Sequence, residues 1–311
     1  MEDKLNILVT GGAGFIASHI VDAFIENGHN VTIIDNLTTG REENINQKAK
    51  FYKLDIRDDL SKIFEEGKFD VVNHHAAQID VRRSVIDPIY DAGVNIIGTL
   101  NLLQNAVKYG VKKFMFASTG GAVYGEQDYF PADENHKQQP LSPYGISKLA
   151  VEKYLYFYKE VHGLRYTILR YANIYGPRQN PLGEAGVVCI FLDKILAGEQ
   201  PIINGSGEQT RDYVYVKDVV KANLLTLNEE ESEIYNVGTG IETSVNELFR
   251  LINQNFNNSI KEVHGPAKPG EQMRSVITSE KLFKKFGWKP STRLEDGLKE
   301  TIDYYKVLTS K

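Results

Sequence analysis

Tyr144 and Lys148 stand four residues apart in the segment Ser142-Pro143-Tyr144-Gly145-Ile146-Ser147-Lys148. Ser142 suits a helix cap and Pro143 the first helical position, so the spacing predicts both side chains on one helix face. A phenol is a poor base near neutral pH, because its ordinary pKa is about 10. A neighbouring ammonium favours the phenolate and lowers that value. Such a pair can draw the proton from a hydroxyl while a hydride leaves the same carbon. Tyr and Lys at this spacing also occur on solvated helix faces, so the chemical reading needs a second signal, a place for the hydride to go.

That signal lies near the start of the chain. Leu8-Val9-Thr10-Gly11-Gly12-Ala13-Gly14-Phe15-Ile16-Ala17 reads as a strand, a glycine-rich turn and the opening of a helix. Glycines let the backbone approach a pyrophosphate, and the free N–H groups of the helix start hold it. Gly11, Gly14, Phe15 and Ile16 are the candidate contacts. Asp35 ends the second strand at the interval where a carboxylate meets the adenosine ribose hydroxyls, and it would repel a 2′-phosphate. The pattern predicts NAD rather than NADP. Arg41, close by, is the one residue that could favour a 2′-phosphate, and the plain alternative for Asp35 is a turn or cap. A bound nicotinamide ring, being positive, would also favour the Tyr144 phenolate.

These residues need a scaffold. Apolar runs at Asn6–Val9, Val31–Ile34, Phe51–Leu54, Val71–Asn73, Lys113–Ala117 and Tyr166–Arg170 alternate with helical patterns such as Ser18–Asn27 and Val94–Tyr109. Strand and helix in alternation predict an α/β Rossmann fold, a doubly wound parallel sheet covered on both faces. The alternation stops after Asn173, and Tyr175–Gly186 reads as loop. We expect a dinucleotide-binding domain over residues 1–173 and a smaller C-terminal α/β substrate domain over 174–311. The chain is expected to return to the first sheet near 211–240.

Composition narrows the class of partner. The 311 residues are 41% hydrophobic and 25% charged with a net charge of −5, values of an ordinary globular protein with no long basic stretch. Nucleic acid is not the expected partner. No run of about 20 apolar residues predicts a membrane span. The single cysteine, Cys189, sits in the apolar run Val187–Phe191 and reads as a core thiol. Without a signal-peptide pattern or paired cysteines, the expected setting is the cytoplasm. No metal ion is expected.

Taken together, the motifs resemble the extended short-chain dehydrogenase/reductase family, in its nucleotide-sugar branch. The resemblance runs through Thr10–Ile16, Asp35-Asn36-Leu37, Asp55-Ile56-Arg57-Asp58, His74-His75-Ala76-Ala77, Gly121–Gly125, Tyr144…Lys148, Leu169–Arg178, Gly207–Val216, Asn236–Gly240 and Gly287–Pro290. It implies a permanently bound NAD and a UDP-sugar substrate. It implies that Asn36, Asp55 and Ile56 lie by the adenosine, and that Ala76, Ala77 and Asn95 line the cofactor cleft. Asn173 and Arg211 are implied sugar-nucleotide contacts, with Arg211 at the diphosphate; its competing reading is an ion pair with Asp212 or another acid. Relatives pair through two helices, here about Ile89–Tyr109 and Tyr144–His162, so the resemblance also implies a homodimer built on a four-helix bundle.

One departure affects the chemistry. Family members often carry Ser or Thr three residues before the Val of Val-Tyr-Gly, where this chain has Gly120. The proton relay is therefore assigned to Thr119, with Ser118 as the fallback. Dehydratases and decarboxylases of the branch place acidic residues just after this hydroxyl, whereas Gly120, Gly121 and Ala122 supply none. The resemblance thus implies a UDP-hexose 4-epimerase. The alternatives are another enzyme of the branch, a dehydratase, decarboxylase or uronic-acid epimerase, or a non-catalytic NAD-binding scaffold, which would not need Tyr144, Lys148 and Thr119. In the segment Lys268–Val276, Ser275 falls where epimerases carry a gatekeeper beside the sugar C2 substituent, so a small residue implies room for an N-acetyl group. There the plain reading is a loop hydroxyl. Arg274 is implied as a second diphosphate contact, and Lys268 stands where relatives often have Arg.

Overall fold

The apolar runs of the first half pair as parallel strands in a computed structural model, which describes residues 4–180, 186–267 and 272–309. In chain order the first half contains β1 (Asn6–Thr10), α1 (Phe15–Glu26), β2 (Asn30–Asp35), β3 (Lys50–Lys53), α2 (Ser61–Gly67), β4 (Val71–His74), α3 (Val81–Ile86), α4 (Pro88–Ala92), α5 (Gly98–Lys108), β5 (Lys113–Thr119), α6 (Pro143–His162) and β6 (Arg165–Tyr171). The second half adds β7 (Asn173–Tyr175), α7 (Val187–Leu196), β8 (Ile203–Asn204), β9 (Thr210–Arg211), β10 (Tyr213–Tyr215), α8 (Val216–Thr226), β11 (Glu233–Val237), β12 (Thr243–Ser244), α9 (Val245–Gln254), β13 (His264–Gly265), β14 (Arg274–Ser275), α10 (Glu280–Phe286) and α11 (Leu294–Thr309).

The main sheet has seven strands in the order β11-β6-β5-β4-β1-β2-β3. Leu8 pairs with Val72 and Thr32, and Thr10 with His74. Side chains alternate across the sheet. Leu8, Val72, Phe114 and Ile168 meet α2, α5 and α6, while Ile7, Val9, Val71 and Met115 meet α1 and the partly buried residues of α8. Both faces are covered, which is why the strands read as nearly unbroken apolar runs. The strand order reverses between β1 and β4, and a doubly wound Rossmann sheet binds its ligand in the crevice at that point.

Local caps set two helix starts, and the first of them comes ahead of its periodic pattern. Asp87 accepts the Tyr90 N–H at 2.9 Å, and Pro88 opens α4 well ahead of Val94. A π-helical turn, Gly93–Ile97, joins α4 to α5. Ser142 accepts the Gly145 N–H at 3.2 Å, Pro143 occupies the first turn and Gly163 ends α6 with φ 71°.

The second half forms short strands around a second core made by α7, α9 and α11, with Phe191, Leu192, Leu248, Phe249, Ile252 and Leu298 at its centre. β7 pairs with β10, while β12, β9 and β14 form a three-stranded sheet. The chain returns to the main sheet through β11, with Glu233 opposite Thr167 on β6. We propose that the domain boundary lies at 173/174, with 216–237 belonging spatially to the first domain. Cys189, on α7, is buried. Among the described residues, no helix is long and apolar enough to cross a membrane.

Candidate active site

The glycine turn lies between β1 and α1 at the crevice. Gly11 has φ 72°, and a Cβ there would lie 2.7 Å from the Ala76 nitrogen. Only glycine allows this close passage of two backbone segments. Gly14 precedes α1 in extended conformation and offers no side-chain cap. The first N–H groups of α1 are therefore available to an anion, which suits a pyrophosphate. Phe15 and Ile16 continue the lining of the cleft.

Asp35 closes the ribose end of this cleft. Its carboxylate accepts the N–H groups of Ala13 at 3.0 Å and Leu37 at 2.8 Å. Burial raises its pKa while those two bonds pull it down. Arg41 does not line the cleft; its guanidinium pairs with Glu43 at 3.3 Å. Asn36 donates to Asp55 at 2.9 Å. Asp55 is held down to about 2, chiefly by Arg57, which donates to it twice at 2.8 Å. Asn36, Asp55, Ile56, Ala76 and Ala77 all face the cleft.

Asn95 departs from its expected role. It is buried behind the cleft wall, where its Nδ2 donates to the Gln78 carbonyl at 2.9 Å and to Asp91 at 3.1 Å. Its Oδ1 accepts the Gln78 N–H at 2.8 Å. Asn95 thus shapes the lining segment, while Val94 faces the cleft. Sequence reasoning also missed His75, Gln78, Arg83, Tyr90, Gln179 and Gly186, all of which line it. Burial lowers the His75 pKa to about 3, so this ring adds no charge. Only His75 lay inside a quoted motif; nothing in the spacing of the others distinguishes them from loop residues.

Tyr144 and Lys148 enter the cleft from the first two turns of α6. The Lys148 Nζ lies 5.8 Å from the centroid of the Tyr144 ring and donates to the Ala117 carbonyl at 2.9 Å. Burial pushes Lys148 down to about 8, while Asp91 and Glu152 pull it upward. Burial raises the Tyr144 pKa above its ordinary value, and Asp91 adds to the rise. In the free chain Tyr144 is therefore a phenol near neutral pH.

The two candidate hydroxyls differ sharply. Ser118 donates to Glu152 at 2.6 Å. Thr119 accepts the Ala122 N–H at 3.2 Å and, among the described residues, has no acceptor for its own proton. A Cβ placed on Gly121 would lie 3.9 Å from each of Thr119 Oγ1, Asn173 Oδ1 and Ser275 Oγ. Three expected site residues therefore converge on the bare Cα of Gly121. At Gly120 the space is already filled, since a Cβ would meet Ile277 Cδ1 at 2.6 Å.

Ser275 is buried on β14, opposite Arg211 on β9. Arg211 donates to the Thr210 carbonyl at 2.7 Å. Asp212 does not pair with it; that carboxylate accepts only N–H and O–H groups from Thr239, Gly240 and Ile277. Arg274, the expected second diphosphate contact, is paired with a carboxylate. It donates to Glu242 at 3.0 and 2.5 Å and lies 3.6 Å over the Phe130 ring, so an internal carboxylate holds it. Lys268 lies outside the described residues.

Residues 7–238 match the NAD dependent epimerase/dehydratase family. The chain is 52% identical to a putative UDP-glucose 4-epimerase of Methanocaldococcus jannaschii, over 96% of this chain and 98% of that one. Its structure is similar to that of a UDP-glucose 4-epimerase with UDP-glucose from Thermotoga maritima, with a TM-score of 0.95, 50% identity and coverage of 97% and 99% of the two chains. A UDP-N-acetylglucosamine 4-epimerase from Methanobrevibacter ruminantium M1, in complex with UDP-N-acetylmuramic acid, is similar at a TM-score of 0.93 and 37% identity, covering 98% and 99%.

Proposed function

The chain belongs to the NAD dependent epimerase/dehydratase family, and from that premise we propose that it is a 4-epimerase of UDP-hexoses. One observation carries the reading. Thr119, Tyr144 and Lys148 share the cleft, and residues 120–122 of the adjoining turn carry no acidic side chain. A base and a hydroxyl relay suffice to make and reverse a ketone, whereas eliminating water needs further acid–base groups. The relatives that bind or act on UDP-sugars support the choice of substrate.

In this reading Thr119 hydrogen-bonds the sugar C4 hydroxyl and Tyr144 removes its proton. Lys148, itself held by the Ala117 carbonyl, keeps positive charge beside the phenol. Bound NAD would supply reversible acceptance of the C4 hydride; the glycine turn fits its pyrophosphate and Asp35 its ribose. Arg211 holds the diphosphate while the keto sugar turns over, because a guanidinium matches phosphate oxygens in a fixed fork. Asn173 and Ser275 line the space in which the ring swings. Arg274 assists only by exchanging Glu242 for phosphate.

The finer reading is that N-acetylated sugars enter as well. Ser275 is small and stands beside the side-chain-free Gly121, where a bulky residue would exclude an acetamide. The chain also pairs as a homodimer in this reading. Ile89 on α4 is 84% exposed, and Ile97 on the π-helical turn and Phe157 and Val161 on α6 are exposed as well, apolar surface that a second copy would cover as a four-helix bundle. Light scattering should give twice the chain mass, and Ile89→Asp should reduce it.

The test of the activity is incubation with UDP-glucose, UDP-galactose and their N-acetylated counterparts, followed by chromatographic separation. Interconversion at C4 supports the reading. Formation of a 4-keto-6-deoxy sugar, or no product from any of the four, overturns it.

A further inference from the structure

We propose that Asp212 is a positioning residue for the sugar-nucleotide pocket, fastening Ile277 and the Thr239–Gly240 turn so that Ser275, Arg211, Asn173 and the Thr119 turn keep their mutual geometry. The inference rests on the epimerase reading of the same site.

Asp212 is 1% exposed and, among the described residues, enters no ion pair. A buried carboxylate without a cation is costly unless N–H or O–H donors surround it. Here they come from two separate segments. Oδ1 accepts the Thr239 N–H at 2.8 Å and its hydroxyl at 2.6 Å. Oδ2 accepts the N–H groups of Thr239 and Gly240, both at 3.1 Å, and of Ile277 at 3.4 Å. The Asp212 carbonyl accepts the Asn173 N–H at 2.9 Å.

These bonds, with the packing of Ile277, tie together the segments that carry the four residues. Arg211 is the preceding residue. Ser275 lies two residues before Ile277 and opposite Arg211 in the sheet register. The Ile277 side chain packs on Gly120, beside Thr119, so closely that a Cβ there would be 2.6 Å away. Gly238 has no room for a side chain either, since its Cβ would meet Asp212 Oδ2 at 2.5 Å and Ile277 Cγ1 at 2.6 Å. An apolar residue of similar size would fill this site without the desolvation cost of a charge. What the carboxylate adds is a fixed spacing between segments 211–212, 238–240 and 275–277. Thr119 and Arg211 act on opposite ends of one substrate, so an error in that spacing weakens binding before it alters the chemistry.

Asp212→Asn is the informative change. An amide has one acceptor oxygen, so in either orientation its NH2 group faces N–H groups that have lost their acceptor. Thr239→Val is the control, because it removes the hydroxyl, with its bonds to Asp212 and from the Ile241 N–H, and leaves the backbone donors to Asp212 in place. Purified holoenzymes would be compared by calorimetric titration with UDP alone, by KM and kcat for UDP-glucose, and by thermal melting. The expected result for D212N is a KM and a UDP dissociation constant raised about tenfold, with kcat changed less than about threefold. T239V should stay within about twofold of wild type in both, even where its melting temperature falls. If D212N does not fold, Ile277→Ala keeps the carboxylate and removes the contact on Gly120, and it too should raise KM with bound NAD retained. D212N or I277A with unchanged KM, or T239V matching D212N, overturns the role. If wild type binds no UDP, the sugar-nucleotide reading falls and this inference with it. If wild type binds UDP and D212N binds it equally, only the positioning role fails.

Discussion

Ser118 donates its hydroxyl proton to Glu152 across 2.6 Å, and Glu152 grips the buried Arg170 with both carboxylate oxygens at 3.0 and 2.6 Å. The Ser118 proton is committed to a structural pair, whereas that of Thr119 is open to a ligand. Thr119→Ala should therefore lower kcat by about 100-fold, the lower end for a lost proton-transfer group. Ser118→Ala should leave kcat within a few-fold and instead cost about 1–3 kcal/mol of stability, as a buried acceptor loses its donor. Steady-state rates and melting curves of both variants check the assignment; a larger rate loss for Ser118→Ala would reverse it.

Tyr144→Phe removes only the phenolic oxygen from a side chain in the cofactor cleft. Bound NAD and the melting temperature should be retained, while turnover falls by about 100-fold or more. Near-normal epimerisation by this variant would remove Tyr144 from the chemistry.

Lys148 gives a pH dependence with a definite sign. Burial disfavours the ammonium and pushes its folded-state pKa down from the ordinary 10.5 to about 8. The ammonium that assists Tyr144 is lost as pH rises through about 8, so kcat should fall on that alkaline side. Between about 8 and 10.5 the unfolded chain binds the extra proton, so the Lys148 contribution to stability rises with pH in that window. Activity should accordingly decline before the fold is lost. A rate and a melting temperature that fall together above pH 8 would contradict this.

Much of the scaffold was legible because long elements repeat. The six predicted strands are present, since a buried parallel strand is an unbroken apolar run. The glycine turn and the Tyr144/Lys148 spacing are local, and they read directly. Non-local relationships were not legible. The Glu242 that holds Arg274 lies 32 residues away in sequence, and nothing in the charge pattern announces the pair. The Ile277 that fills the space at Gly120 explains why a hydroxyl is missing there, but only the folded chain brings the two together. Asn95 was given a lining role, yet the π-helical turn places it behind the wall, bonded to Gln78 and Asp91. Strands such as β9 and β14, two residues each, are too short to carry any period.

Ser275 tests sugar preference. Ser275→Tyr would fill the space beside Gly121, so turnover of the N-acetylated pair should drop well below that of UDP-glucose and UDP-galactose. The readout is the ratio of kcat/KM values for the two pairs. An unchanged ratio would remove Ser275 from the control of specificity.

The central claim is that one hydrogen leaves C4 of the sugar and returns to the other face of the same carbon within a single site. The most direct measurement uses UDP-galactose deuterated at C4, incubated with the purified chain and no added cofactor, with the product read by NMR. The account predicts UDP-glucose that keeps the deuterium at C4. Deuterium lost to water, or its appearance at any other carbon, would contradict it.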